Sequence, residues 1–537
     1  MRSYPMHIGG ADCEGSGWTY VVKVDELIRD PRRAFRVRRA LELGEAVDPA
    51  QASIVAGRCA VGTDEDNRRA LEAAAAARGA VARIPAEVRR QIGLDCHERM
   101  RAHADELVEV LIAEGHPRRV AERETEGILH SCSPQMLDWT FAQMTQRFGD
   151  GDRTVLLTRK PDGVVCLNPP QNAPTANAAL AIFALLAGNT IVAKAPKTAP
   201  LGVMFLLHEI ALPVLDAHDV PAGAINVVCG YSKQILKAWV ESPLVDDVMF
   251  FGDSRVGLRF AQECVAHGRK PILELSGNDA FVVWRDADLD RAAATLTESF
   301  YGSSQICMVP KQAVLHPAIA DDFVARFLAE VEQIRPAYMD DPGALLSPVL
   351  KMDRFFDHLS QARQHGAEVL CGGSRVGVDG AEAIDGMFLE PTVVRVDGLA
   401  GARELQCVAE ETFFPLLPLI VPNAGDAADG DDDALLARTI DWCDANPYGL
   451  RNSIWARDPA VVDAFAVGLR NGGLLIFNDS HLGVAPRLST HGGTGLSGGP
   501  FGELHYPALR TSHLQGITFG HAPVTAGAPP LDAARAG

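Results

Sequence analysis

A glutamate and a cysteine stand 33 residues apart in this chain, each inside its own loop of small residues. Glu274 lies in Leu273-Glu274-Leu275-Ser276-Gly277-Asn278-Asp279, at the end of an apolar run, and Cys307 closes Tyr301-Gly302-Ser303-Ser304-Gln305-Ile306-Cys307. A thiol can attack a carbonyl carbon, and a carboxylate can activate the water that later releases the acyl group. Upstream, Asn168-Pro169-Pro170-Gln171-Asn172-Ala173-Pro174 carries Asn172, a side-chain amide able to hold an oxyanion. Taken singly, each has an ordinary reading: a packed thiol, a surface carboxylate, a turn asparagine. Together they are a nucleophile, a base and an oxyanion donor.

Such a set works only if the fold brings its members to one place. Asn172 follows an expected strand and Glu274 ends another, so both would reach the carboxyl edge of a sheet. Strands are expected at 190–194, 225–229, 248–251 and 271–275, with helices at 201–215, 233–241 and 255–267 between them. That alternation predicts a parallel sheet with crossover helices. After Cys307 a second block follows, with helices at 319–334 and 351–365 and strands at 368–370 and near Thr392 and Leu417. Residues 154–167 read as a hairpin about Pro161-Asp162-Gly163, or as two neighbouring strands. The Ala-rich run 68–78 reads as a helix stopped by Gly79, and 31–44 as a short helix. The stretch 424–433 is an acidic surface loop.

Composition bounds the rest. A chain of 537 residues is too long for one core and implies two or three domains. Its net charge of −19 argues against nucleic acid or an anionic membrane surface as partner. The eleven cysteines are scattered singly, without zinc-ligand spacing, as expected of reduced thiols and no metal. The N-terminus lacks an apolar signal region, and the longest apolar stretch, 178–188, reads as a buried helix. A cytoplasmic protein is expected.

The order and spacing of these motifs resemble the aldehyde dehydrogenase superfamily over roughly residues 50–520. Gln171-Asn172-Ala173-Pro174 matches its W-N-x-P loop, Glu274-Leu275-Ser276-Gly277-Asn278 its E-L-G-G-K, and Ser304-Gln305-Ile306-Cys307 its G-Q-x-C. Glu410-Glu411-Thr412-Phe413-Phe414-Pro415 and Asn446-Pro447-Tyr448-Gly449-Leu450 are similar to E-E-x-F-G-P and N-x-x-Y-G-L. The resemblance implies an α/β fold with a Rossmann-type cofactor domain (1–139 and 162–275) and an α/β catalytic domain (276–485). It also implies a small β oligomerisation element (140–161 and 505–520), and hence a homodimer or homotetramer; residues 521–537 read as a disordered tail. The reaction implied is oxidation of a small-molecule aldehyde to a carboxylic acid through a cysteine thiohemiacetal and thioester, which Glu274-activated water hydrolyses.

For the cofactor, the run from Gly188 to Lys197 resembles the family's G-N-x-V-x-x-K-P-S-E strand, and the run from Phe250 to Gly257 its F-x-G-S-x-x-x-G turn. The resemblance gives Lys194 to the adenosine ribose, Gly252, Ser254 and Gly257 to the pyrophosphate turn, Glu411 to the nicotinamide ribose and Phe413 to the ring pocket. Lys197 stands where NAD-preferring members carry a glutamate; lysine cannot accept from ribose hydroxyls but can pair with a 2′-phosphate, which favours NADP over NAD. Asp253 stands where a small hydroxyl residue is usual, and its anion is unfavourable beside phosphate unless Arg255 or Lys197 compensates. Ser304 replaces a glycine and is expected to narrow the pocket floor. His491 is expected at the substrate mouth. The ending His505-Tyr506-Pro507-Ala508-Leu509-Arg510-Thr511-Ser512-His513-Leu514-Gln515-Gly516 is similar to that of NADP-dependent ring-cleavage CoA-semialdehyde dehydrogenases. Two alternatives remain: an acylating enzyme in which a CoA or carrier thiol meets the thioester, against which Glu274 argues, and a non-catalytic member of the fold.

Overall fold

The structure, a computed structural model, describes residues 1–150, 153–428 and 430–520. The expected tail at 521–537 lies outside the described residues. Strands Val164–Asn168, Thr190–Pro196, Ile225–Gly230 and Asp247–Phe251 are buried at every position. Continuous burial is what a parallel sheet covered on both faces requires. Alternate residues serve opposite faces. Val164 and Cys166 pack with Ala70, Ala74 and Trp239, whereas Val165 and Leu167 pack with Leu180, Phe205 and Leu207.

In this sheet Lys270–Glu274, Asp247–Phe251, Val164–Asn168, Thr190–Pro196 and Ile225–Gly230 run parallel in that spatial order. Met6–Ile8 then pairs antiparallel with Ile225–Gly230, and Ala11–Cys13 closes the edge. The parallel part starts at Val164–Asn168, winds outward one way through Thr190–Pro196 and Ile225–Gly230, then returns to build the other half. The reversal leaves a crevice at the carboxyl ends of Val164–Asn168 and Asp247–Phe251, where open α/β sheets receive ligands.

The second seven-stranded sheet has the order Glu368–Cys371, Thr392–Asp397, Leu416–Val421, Gln312–Leu315, Ala280–Val283, Arg451–Trp455, Leu474–Phe477. All neighbours are parallel except the first pair. A separate antiparallel ribbon joins Thr145–Asp150, Arg153–Pro161 and Ser512–Phe519. A small N-terminal sheet joins Arg2–Tyr4, Val55–Val61 and Gly17–Val22. Helix Pro31–Glu42 packs on that sheet, burying Ala34 and Val37.

Two local expectations are decided by the structure. Of the two readings of 154–167, the hairpin is excluded and two successive strands are found, in different sheets. Arg153–Pro161 belongs to the ribbon and Val164–Asn168 to the first seven-stranded sheet. The switch occurs at Gly163, with φ of 140°, where a Cβ would lie 2.1 Å from the Asp246 carboxylate that accepts the Val164 N–H at 2.8 Å. The helix assigned to 68–78 spans Asp64–Ala82 and passes through Gly79. It starts at a capping box between Thr63 and Asp66, and Ala70, Ala74, Ala77 and Val81 form one buried stripe. Burial of that stripe outweighs the ~1 kcal/mol that glycine costs a helix.

Candidate active site

The loop after Val164–Asn168, the end of Lys270–Glu274 and the Cys307 loop face one cavity of about 1240 Å³, lined by Asn172, Glu274 and Cys307. The Glu274 and Cys307 loops meet backbone to backbone. A Cβ on Gly277 would lie 2.2 Å from the Cys307 carbonyl oxygen. Asn172 Nδ2 donates to the Gln305 carbonyl at 3.0 Å, so one amide N–H anchors the two loops and the second remains for a ligand.

The cysteine loop is held in an uncommon conformation. Gly302, Ser303 and Ser304 take φ of 59°, 55° and 59° in succession. For the two serines the left-handed region costs roughly 1–2 kcal/mol each. The surroundings fix them there. Ser303 Oγ donates to the Ser347 carbonyl at 2.6 Å, Ser304 Oγ donates to the Ser299 carbonyl, and Gly302 N–H donates to the Leu345 carbonyl at 2.8 Å. Lys311, buried, donates to the Ser304 carbonyl at 2.6 Å and the Thr412 carbonyl at 2.9 Å. The expectation that Ser304 narrows the pocket floor is therefore wrong. Its hydroxyl turns back into the loop, and the residue does not line the cavity.

Electrostatically the site is crowded with carboxylates. Burial pushes the Cys307 thiol up to about 12, with Glu411, Glu274 and Asp279 adding to the shift and the Lys311 ammonium opposing it. Burial in turn brings Lys311 down to about 8. Glu274 is also buried, which by itself would raise its carboxyl. His505, His491 and the Gly492 N–H outweigh that and hold it below its ordinary value. His505 Nδ1 lies 2.6 Å from Glu274 Oε1, and the Gly492 N–H donates to Oε2 at 2.9 Å. Below them, Arg451 donates to the His481 and Thr490 carbonyls at 2.7 and 2.8 Å, and its own N–H reaches Asp279 at 3.2 Å. His491 lines the cavity beside Glu274, its Nδ1 3.1 Å from Thr490 Oγ1.

The residues expected at a dinucleotide divide into two groups. Lys194, Gly252, Ser254, Glu411 and Phe413 all line the same cavity. Lys194 is buried in mid-strand, and burial brings its ammonium down to about 8. Glu411 Oε1 accepts the Gly277 N–H at 3.0 Å, and Phe413 lies under Lys311, whose Nζ is 5.3 Å from the ring centroid. Lys197 and Gly257 do not line the cavity. Lys197 Nζ meets Tyr231 Oη at 3.2 Å, and Gly257 lets helix Ser254–Ala266 approach Leu275, where a Cβ would come within 2.2 Å. The Ser254 hydroxyl is already committed to the Leu496 carbonyl at 2.7 Å.

A buried cation and a helix N-terminus opening on one cleft suit a phosphate-bearing adenosine cofactor. Asp253 is the discordant member. It caps helix Ser254–Ala266 by accepting the Val256 N–H at 3.1 Å, with Arg255 Nε 3.9 Å away. Its carboxylate thus occupies donors that a pyrophosphate would use.

Sequence reasoning gave no role to His505, Lys311 or Asp279. His505 stood in a quoted motif, and the spacing of charges around Cys307 offered no signal for the other two. Among the described residues no group of three or more His, Cys, Asp or Glu side chains could hold a metal, and no helix is long and apolar enough to cross a membrane.

Comparison with known proteins agrees with this geometry. The sequence profile of the aldehyde dehydrogenase family matches residues 37–508. The chain is 29% identical over 440 residues to the Escherichia coli (strain K12) succinate-semialdehyde dehydrogenase [NADP(+)] GabD, covering 79% of this chain and 84% of that protein. It is 30% identical over 454 residues to the alpha-ketoglutarate semialdehyde dehydrogenase of Haloferax volcanii, covering 82% and 88%. The crystal structure of an NAD-dependent aldehyde dehydrogenase from Sinorhizobium meliloti superposes with a TM-score of 0.79 at 22% identity, covering 99% and 97%. The chain belongs to the aldehyde dehydrogenase family. It is an NAD(P)-dependent oxidoreductase that converts an aldehyde to a carboxylic acid, and the acylating and non-catalytic alternatives are not favoured.

Proposed function

We propose that Cys307 is the nucleophile, Asn172 the oxyanion donor and Glu274 the base of this oxidation. The observation that carries the reading is the convergence of all three on one cavity, with Gly277 seated against the Cys307 carbonyl. The Cys307 thiolate adds to the aldehyde carbon, and the free Asn172 N–H with the Cys307 backbone N–H takes the charge on oxygen. A nicotinamide held in this cavity would accept the hydride, which would leave a thioester on Cys307. Glu274 then takes a proton from water as its oxygen attacks the thioester, releasing acid and thiol.

Lys194, Glu411 and Phe413 would hold the cofactor, with the turn at Gly252. We infer a preference for NADP: Lys197 stands off the cavity wall with its Nζ on Tyr231 Oη, and from the adjoining strand end it offers a cation to a 2′-phosphate and no acceptor to ribose hydroxyls. The name of the Escherichia coli relative agrees with that preference, whereas the Sinorhizobium structure is of an NAD-dependent enzyme. A carboxylate-bearing semialdehyde is the substrate class to try first, given the names of both curated relatives. The exposed strand Ser512–Phe519 supports a homo-oligomer built on that ribbon, since it presents an open sheet edge.

The test is the absorbance of reduced cofactor with a panel of semialdehydes and simple aldehydes, run in parallel with NADP and NAD. Turnover lost in Cys307→Ala, and NADP preference lost in Lys197→Glu, are expected. Turnover persisting in Cys307→Ala refutes the nucleophile. A wild type that favours NAD refutes the cofactor inference alone.

A further inference from the structure

We propose that His505 is the positioning residue of the base: its imidazole holds the Glu274 carboxylate in the orientation from which it activates water. The proposal rests on the reading of Glu274 as that base. His505 Nδ1 lies 2.6 Å from Glu274 Oε1 across 231 residues of sequence, and His505 is 1% exposed. An ionised carboxylate only accepts hydrogen bonds, so at this distance Nδ1 carries the proton. Burial of the pair at such a separation makes the contact charge-assisted and costly to leave unmade.

The contact is part of a built feature. His491–Gly492 and Leu504–His505 form a two-stranded ribbon in which His491 faces His505. One strand supplies the His505 N–H to Oε1, and the other supplies the Gly492 N–H to Oε2. Gly492 has φ of 99°, and a Cβ there would lie 2.1 Å from the Glu503 carbonyl, so the ribbon closes only with glycine at that point. Each carboxylate oxygen is thus fixed by one donor and keeps a second lone pair for water. His505 Nε2 is buried without a hydrogen-bond partner, which leaves the imidazole one polar contact, the carboxylate. The other titratable groups facing Glu274 are His491 on the ribbon, Arg451 on its strand and Cys307 on its loop.

The test uses p-nitrophenyl acetate and the full chain, and needs neither cofactor nor the natural aldehyde. The Cys307 thiolate displaces p-nitrophenolate to give an acetyl thioester. Water then hydrolyses it to acetate, its proton passing to Glu274, and the thiol is restored. Formation and clearance of acetyl-Cys307 are followed by intact-protein mass spectrometry across a pH range, for wild type, Glu274→Gln, His505→Ala and His505→Asn. His505→Ala is expected to acylate like wild type but to clear about 10- to 100-fold more slowly. Its clearance should fail at a higher pH than wild type, because the carboxylate has lost a donor to its charged form. His505→Asn, whose amide nitrogen can replace Nδ1, should recover most of the rate. Three results overturn the positioning role: clearance by His505→Ala at the wild-type rate, equal slowing of both steps, or no gain from asparagine over alanine. Clearance by Glu274→Gln at the wild-type rate removes the base itself, and the proposal with it.

Discussion

Gly277 and Cys307 meet without an intervening side chain, the position of a Cβ on Gly277 lying 2.2 Å from the Cys307 carbonyl oxygen. The base loop and the nucleophile loop are thereby set against each other at backbone precision. Gly277→Ala must push one of them away. A displacement near 1 Å at a reacting group costs about 10²-fold in rate. We expect kcat to fall by that order while the melting temperature changes little, as read by steady-state kinetics and calorimetry. A Gly277→Ala enzyme with wild-type kcat would show that the loops move independently.

Strain at the nucleophile loop gives an ordering of variants. Ser304→Gly relieves a left-handed residue but loses the hydroxyl bond to Ser299, two effects of about 1 kcal/mol each and opposite sign. Ser304→Ala loses the bond and keeps the strain. The glycine variant should therefore melt higher than the alanine variant, by roughly 1 kcal/mol in unfolding free energy. The reverse order in thermal melts would contradict the strain assigned here.

The Cys307 thiol, pushed up to about 12 by burial and by its carboxylate neighbours, should react slowly at neutral pH. Its alkylation by iodoacetamide should keep rising beyond pH 9, since the thiolate is the reactive form. Lys311 opposes the shift, so Lys311→Met moves the thiol further up, and each unit costs about tenfold in thiolate fraction. Faster alkylation of the methionine variant below pH 9 would reverse the sign of this field.

Asp253 makes a specific forecast for cofactor affinity. Asp253→Ser keeps a residue able to cap helix Ser254–Ala266, so stability should change by less than ~0.5 kcal/mol. Removing the anion from the helix N-terminus should tighten NADP binding about threefold to tenfold. Fluorescence titration of both proteins decides it, and an unchanged Kd would mean that Asp253 faces away from the bound phosphates.

The parallel alternation from 190 to 275 was legible because a strand buried on both faces is written as a continuous apolar run. Asn172, Glu274 and Cys307 were legible because each sits in a small-residue loop with a distinctive neighbourhood. Gly79 does not end its helix, because a local stop signal is weaker than the alanine stripe that the sheet buries. The 154–167 stretch permitted two readings, since a turn sequence does not say whether the strands beside it share a sheet. The direction of Ser304 is not legible in sequence, because it depends on the backbone region, and two successive left-handed serines have no signature in residue type.

The sequence by itself determined the family, the α/β class and the three residues proposed for the chemistry, because local pattern and motif spacing carry those. Only the tertiary structure decided what surrounds them. The 231 residues between Glu274 and His505 close to a 2.6 Å contact, and Lys311 reaches back to two carbonyls beneath Cys307. Such partners are chosen by how separate segments pack, and packing acts through space, where sequence distance has no meaning.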